Sequence, residues 1–157
     1  MIITVNELLN SGFSISDEIS NEKLEKAIDT AELYIVKPRL TDSKYIEIIT
    51  DPTDYEVLLE GGIATKENGE QVYLAGLKRA MCHLSYAILL RDNINATTFG
   101  TVVKKDDYSD QASEERIHRV GMQNGEIGMQ YLKEVTDYLE IKNNDKHLQN
   151  AYFSEFL

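Results

Sequence analysis

Cysteine, proline, histidine and positive charge are scarce in this chain, and each shortage removes a class of function. One cysteine, Cys82, leaves no partner for an internal disulfide and no multi-cysteine zinc site. That usage fits a soluble protein made in a reducing compartment. Lys and Arg number 16 against 27 Asp and Glu, for a net charge of −11. Affinity for a phosphate backbone rests on clustered cations, so an autonomous DNA or RNA binder is disfavoured, as is docking on an anionic membrane. No apolar run approaches the ~18 residues that cross a bilayer. Residues 1–7, MIITVNE, lack the basic and long apolar regions of a signal peptide. Asn95-Ala96-Thr97 matches the glycosylation pattern, but without a secretion signal it reads as a chance match. Only Pro38 and Pro52 interrupt the periodic stretches, which favours a mostly helical fold.

What is present suits one small domain: 157 residues, 42% of them hydrophobic. The pattern assigns residues 1–145 to a single helical domain and 146–157 to a C-terminal tail. Leu24, Ala27, Ile28, Ala31 and Ile35 follow helical spacing and predict a helix over 20–36, stopped by Pro38. Residues 6–10 supply one short helical turn before it. Thr41 caps a helix over 42–49, with a strand as the alternative because Tyr45, Ile46, Ile48 and Ile49 favour strands. A further turn of helix over 55–59 ends at Gly61-Gly62. Residues 63–73 read as a hairpin around a two-residue Asn68-Gly69 turn. The helix over 74–91 is the expected centre of the core, through Leu77, Ala80, Met81, Leu84, Ala87, Ile88 and Leu89. Residues 97–103 are β-branched or aromatic and read as extended. The last helix, 112–141, carries a stripe that includes Ile117, Val120, Ile127, Leu132 and Val135, and Asn143-Asn144-Asp145 ends it.

Little of this points to chemistry. His83, His118 and His147 lie far apart in the chain. Cys82 and His83 are neighbours on a helix, so their side chains diverge by about 100° and make a poor nucleophile–base pair. Glu115 and His118 have the Glu-x-x-His spacing of a di-iron carboxylate site, but the second such motif is missing. No Gly-x-Gly-x-x-Gly, Walker or Gly-x-Ser-x-Gly sequence occurs. The chain is expected to be no enzyme and to hold no cofactor or metal.

Features that suit partners are easier to find. Gly121, Gly125 and Gly128 share one face of the last helix, each at ~1 kcal/mol relative to alanine. A close helix crossing, within or between subunits, would offset that cost; a kinked helix is the alternative. Tyr152, Phe153, Phe156 and Leu157 cluster in the tail, which would fold back or dock on another chain. Charge is uneven: residues 1–70 hold 6 basic and 15 acidic side chains, residues 71–157 hold 10 and 12. The first stretch is an acidic, solvated face, or a surface that repels DNA in a passage.

The order of elements also carries a likeness. A helix ending Leu33-Tyr34-Ile35-Val36-Lys37-Pro38 is followed by Gly61-Gly62 and by the run from Gly76-Leu77-Lys78-Arg79 to Tyr86-Ala87. Then come Thr98-Phe99-Gly100-Thr101-Val102-Val103-Lys104-Lys105 and a long helix to Tyr138-Leu139. Over roughly residues 3–141 this resembles the head–tail connector (adaptor or neck-ring) proteins of tailed bacteriophages, most closely those of crAss-like phages. The resemblance implies a homo-oligomeric ring, commonly of twelve copies, in the virion neck, assembled in the host cytoplasm. Its partners would be the portal protein and tail or further neck-ring proteins, with genomic DNA only passing through the lumen and no membrane involved. By the same analogy, residues 93–110 and the tail from Lys146 bridge neighbouring subunits. The expected partner interface comprises Gly121, Gly125, Gly128, Phe99, Val102, Val103, Tyr152, Phe153, Phe156 and Leu157. The rival reading is an acidic helical binding module or inhibitor with a basic protein partner; a small metalloenzyme using Glu115 and His118 is the other.

Overall fold

The computed structural model describes residues 1–92 and 114–141. Their fold is mostly helical with one small antiparallel hairpin, as the periodicity predicts. The described helices are α1 (Val5–Leu9), α2 (Asn21–Ala31), α3 (Lys37–Leu40), α4 (Asp42–Thr50), α5 (Glu56–Glu60), α6 (Leu77–Asp92) and α7 (Glu114–Tyr138). The strands are β1 (Gly62–Thr65) and β2 (Gln71–Leu74).

The centre is α6, flanked by α2 and, over the longest interface, by α7. Its side chains from Leu84 to Leu90 are all buried, so it is enclosed on every side rather than on one face. Each fully buried Leu, Ile or Met there contributes roughly 1.5–3 kcal/mol. Ser85 is the exception in kind: it is buried and its Oγ has no hydrogen-bond partner.

Four expectations need correction. The helix over 20–36 does not stop at Pro38. Residues Glu32–Val36 form a wider π-helical turn, in which the Lys37 N–H donates to the Glu32 carbonyl five residues back. The helix thereby restarts, and Pro38 falls in the first turn of α3, where its missing N–H costs nothing. The Arg39 guanidinium donates to the Ile35 carbonyl at 2.8 Å. Next, the hairpin loop has three residues, not two. The Lys66 N–H donates to the Glu70 carbonyl at 2.9 Å, and Gly69 alone takes the left-handed conformation, at φ 83°. Third, α7 ends at Tyr138, before the Asn-Asn-Asp run. The Ile141 N–H reaches back to the Thr136 carbonyl around Glu140 at φ 54°, a Schellman-type cap. Fourth, Ile127 is exposed rather than part of the buried stripe of α7.

α7 runs through its three glycines as one unbroken helix. At Gly128 a Cβ would lie 2.7 Å from Leu84 Cγ and 3.1 Å from the Ala80 carbonyl oxygen. The missing side chain is what lets α7 approach α6 so closely. A second close approach sets the base of the hairpin. Gly61 and Gly76 both have positive φ, and a Cβ on Gly61 would meet the Ala75 carbonyl oxygen at 2.5 Å. The α5–β1 and β2–α6 junctions therefore press backbone against backbone.

Candidate interaction surface

The residues that could carry chemistry are placed as follows. Cys82 is buried on α6, and burial first, with the Glu7 carboxylate adding, pushes its thiol up to about 11. Such a thiol stays protonated and unreactive at neutral pH. His83 is half-buried between α6 and α7, edge-on to Phe13 and Tyr131 at ring separations of 5.0 and 5.6 Å. Its Nδ1 lies 2.8 Å from Asn124 Oδ1, while the Asn124 amide donates to the Val120 carbonyl. That orientation makes Nδ1 the protonated nitrogen. Burial lowers the His83 pKa, against an upward pull from Asn124. Glu115 and His118 are both exposed on the first turns of α7. Among the described residues no group of three His, Cys, Asp or Glu could hold a metal ion.

One polar group escaped sequence reasoning. The Glu32 side chain, only 4% exposed, starts the π-helical turn that carries α2 past Pro38. Its carboxylate accepts from the Ile2 N–H at 2.9 Å and the Tyr45 hydroxyl at 2.5 Å, and Met1 N lies at 3.3 Å. Burial, then the bond to Glu32, raises the Tyr45 pKa well above the ordinary value. This carboxylate pins the N-terminal segment and α4 to one helix. Periodicity could not reveal it, because a glutamate beside a buried stripe ordinarily points to water.

The residues that stand out for recognition lie around α5. On one side, Ile46 and Ile49 project from α4 into solvent while Tyr45 and Ile48 pack inward. A cleft of about 400 Å³ opens there, lined by Ile2, Ile48, Ile49, Pro52 and Leu59 with Lys78 at its rim. Lys78 is paired with Glu7 at 2.9 Å and Glu60 at 2.5 Å. On the other side, Ile63 of β1 faces Tyr73 of β2, and they are 66% and 65% exposed. Counting from the bonded Lys66–Glu70 pair, Ile63 and Tyr73 fall in a non-hydrogen-bonded pair, where side chains approach closest. A groove of about 450 Å³ runs between the hairpin and α5, lined by Val57, Leu58, Ile63, Tyr138 and Leu139. Thr53 and Glu56 line both depressions and form the ridge between them.

The Tyr138 hydroxyl donates to the Thr65 carbonyl at 3.3 Å, and the Ala75 N–H, just after β2, donates to Glu134 Oε2 at 3.2 Å. Both ends of the hairpin are thus bonded to α7.

Of the residues expected to meet partners, Gly121, Gly125 and Gly128 are buried. Gly128 packs on Leu84 and Ala80 of its own chain, which corrects its assignment to a partner face. Phe99, Val102, Val103, Tyr152, Phe153, Phe156 and Leu157 lie outside the described residues, as does the segment 142–157 that holds the expected tail and helix stop. Sequence reading missed the surface around α5. Its signal was the excess of apolar residues over what one helical face can bury, as in Tyr45-Ile46-Glu47-Ile48-Ile49.

A family described as "Family of unknown function (DUF6712)" matches residues 36–152, and the chain belongs to that family. No match is found among curated proteins or among solved structures.

Proposed function

We propose that this chain is a structural subunit that assembles with copies of itself into a closed ring, of the kind that joins head to tail in tailed bacteriophages. In that role it sits in the virion neck, between the portal protein and tail or further ring proteins. DNA passes through the lumen without being gripped, and the chain performs no catalytic step. The resemblance in element order supports the reading, with its first long helix running into Lys37-Pro38, then Gly61-Gly62, the run from Gly76 to Ala87, the Thr98–Lys105 sequence and the long last helix.

The observation that carries it is the pair of unlike apolar surfaces flanking α5. One is helical, with Ile46, Ile49 and the cleft beside them; the other is the hairpin pair Ile63 and Tyr73. A ring closed by head-to-tail contacts needs two different faces on each chain, whereas a two-fold dimer needs one. The acidic excess of residues 1–70 suits a passage for DNA, since like charge keeps the polymer from sticking.

Electron microscopy of the full chain, alone and mixed with the portal, tests the proposal. Rings of uniform diameter are expected in at least the mixed sample. A chain that stays monomeric by sedimentation in both conditions overturns it.

A further inference from the structure

The groove between α5 and the hairpin has a strand edge for one wall. Ile63, Ala64 and Thr65 of β1 line it and, among the described residues, none of β2 does, so it runs along the side of β1 away from β2. The ladder sets what that edge presents. The Lys66–Glu70 pair is bonded and bonded pairs alternate, so Gly62 and Ala64 turn their backbone groups toward β2. The N–H and C=O of Ile63 and Thr65 therefore point the other way. Tyr138 agrees with this direction: it lines the same groove, and its hydroxyl donates to the Thr65 carbonyl. The Ile63 N–H and C=O and the Thr65 N–H have no bonded partner among the described residues.

An open edge of this kind is a template for one more strand. Nothing in β1 blunts it, since Gly-Ile-Ala-Thr holds neither proline nor charge. The groove adds selectivity. Asp54 and Glu56 are exposed along its α5 side, and among the described residues no Lys, Arg or His lines it. Val57 and Ile63 supply exposed apolar surface. We infer that this groove takes an extended, basic segment of a partner protein, which adds to β1 as a third strand. Backbone bonds hold such a segment, its alternating side chains select it, and the acidic wall favours Lys or Arg at its ends. β1 spans about 13 Å, so about four residues of the segment make the contact.

A second copy of this chain fits less well. Strand β2 of a neighbour would bring Glu70 and, over residues 70–75, no cation, which sets acid against acid. The inference goes beyond the ring proposal and does not rest on it.

The probe is a synthetic peptide, acetylated and amidated, of sequence Lys-Thr-Val-Thr-Val-Thr-Lys, with a Glu-flanked counterpart as control. Both are titrated into the full chain in dilute solution and followed by fluorescence anisotropy and amide exchange. The Lys-flanked peptide is expected to bind about tenfold more tightly than the control. At saturation the Ile63 and Thr65 amides, which face the groove, should exchange about tenfold more slowly, while the Ala64 amide, already bonded within the hairpin, changes little. Thr65→Pro removes an outward N–H and no ladder bond, and should weaken the Lys-flanked peptide about tenfold. Exchange in the unmodified chain decides the matter if that variant folds poorly. Asp54→Asn with Glu56→Gln should erase the preference for Lys over Glu. No binding of the Lys-flanked peptide at millimolar concentration overturns the inference, as does equal binding of the two peptides. Unchanged exchange at Ile63 and Thr65 also overturns it. Self-association that protects those two amides without peptide gives the edge to a second copy and overturns it as well. Each of these outcomes reads the groove whether or not rings form.

Discussion

Along the α6–α7 interface apolar side chains are sealed from water, and even glycine is used to bring backbones together. Around α5 the same residue types, Ile, Val and Tyr, point outward on short elements held by hydrogen bonds and surface ion pairs. The first region stabilises the fold; the second has little to do in a lone chain. The difference teaches where changes should act. Substitutions at the helix crossing should cost stability, and substitutions beside α5 should cost assembly while leaving stability alone.

The comparison breaks most readily at Gly128. Gly128→Leu places a branched side chain where a single Cβ already meets Leu84 at 2.7 Å. We expect a loss of about 3 kcal/mol or more in urea unfolding, well beyond the gain in helix propensity. An unchanged midpoint would mean that the crossing is loose. Glu32→Ala comes next. It leaves the Ile2 N–H and the buried Tyr45 hydroxyl without their acceptor, and about 2 kcal/mol should be lost by the same measurement.

Ser85→Ala runs the other way. It removes a buried hydroxyl without a partner from the middle of α6, and we expect a gain of about 1 kcal/mol. A loss would show that Ser85 has a partner that matters. His83 gives a smaller, pH-dependent effect. Its pKa in the fold lies below the ordinary ~6.5, so the unfolded chain binds the proton more readily. Stability from this group is complete above pH ~6.5 and falls as the pH drops through the range below it. His83→Gln should flatten the slope between about pH 7 and 5. A slope that is unchanged would assign it to other groups. Last in size for the fold, Ile63→Ser with Tyr73→Ser should alter stability by no more than about 0.5 kcal/mol. A larger loss would place the hairpin pair with the core instead of the recognition surface.

The inner region was largely legible in the sequence, because burial leaves a periodic trace. Leu24, Ala27, Ile28 and Ala31 on α2, and the apolar run of α6, are buried as their spacing predicts. The glycine face of α7 announced a close crossing, yet spacing could not say whether the other helix was in the same chain; Leu84 and Ala80 answer that for Gly128. The stop at Pro38 was misread because a wider turn, which has no sequence signature of its own, restarts the helix there. Asn68-Gly69 marks a turn correctly but does not reveal its length, since a glycine at positive φ serves two-residue and three-residue loops alike. The outer surface left no periodic trace. Its residues look like surplus core until the helices that fail to bury them are in view.

Native mass spectrometry of the full chain mixed with the portal protein, beside the Ile63→Ser, Tyr73→Ser variant in the same mixture, tests the central claim most directly. The account predicts a single closed species near twelve copies for the unmodified chain. It also predicts monomers for the variant, with equal folded stability. Monomers from both chains, or the same assembly from both, would contradict it.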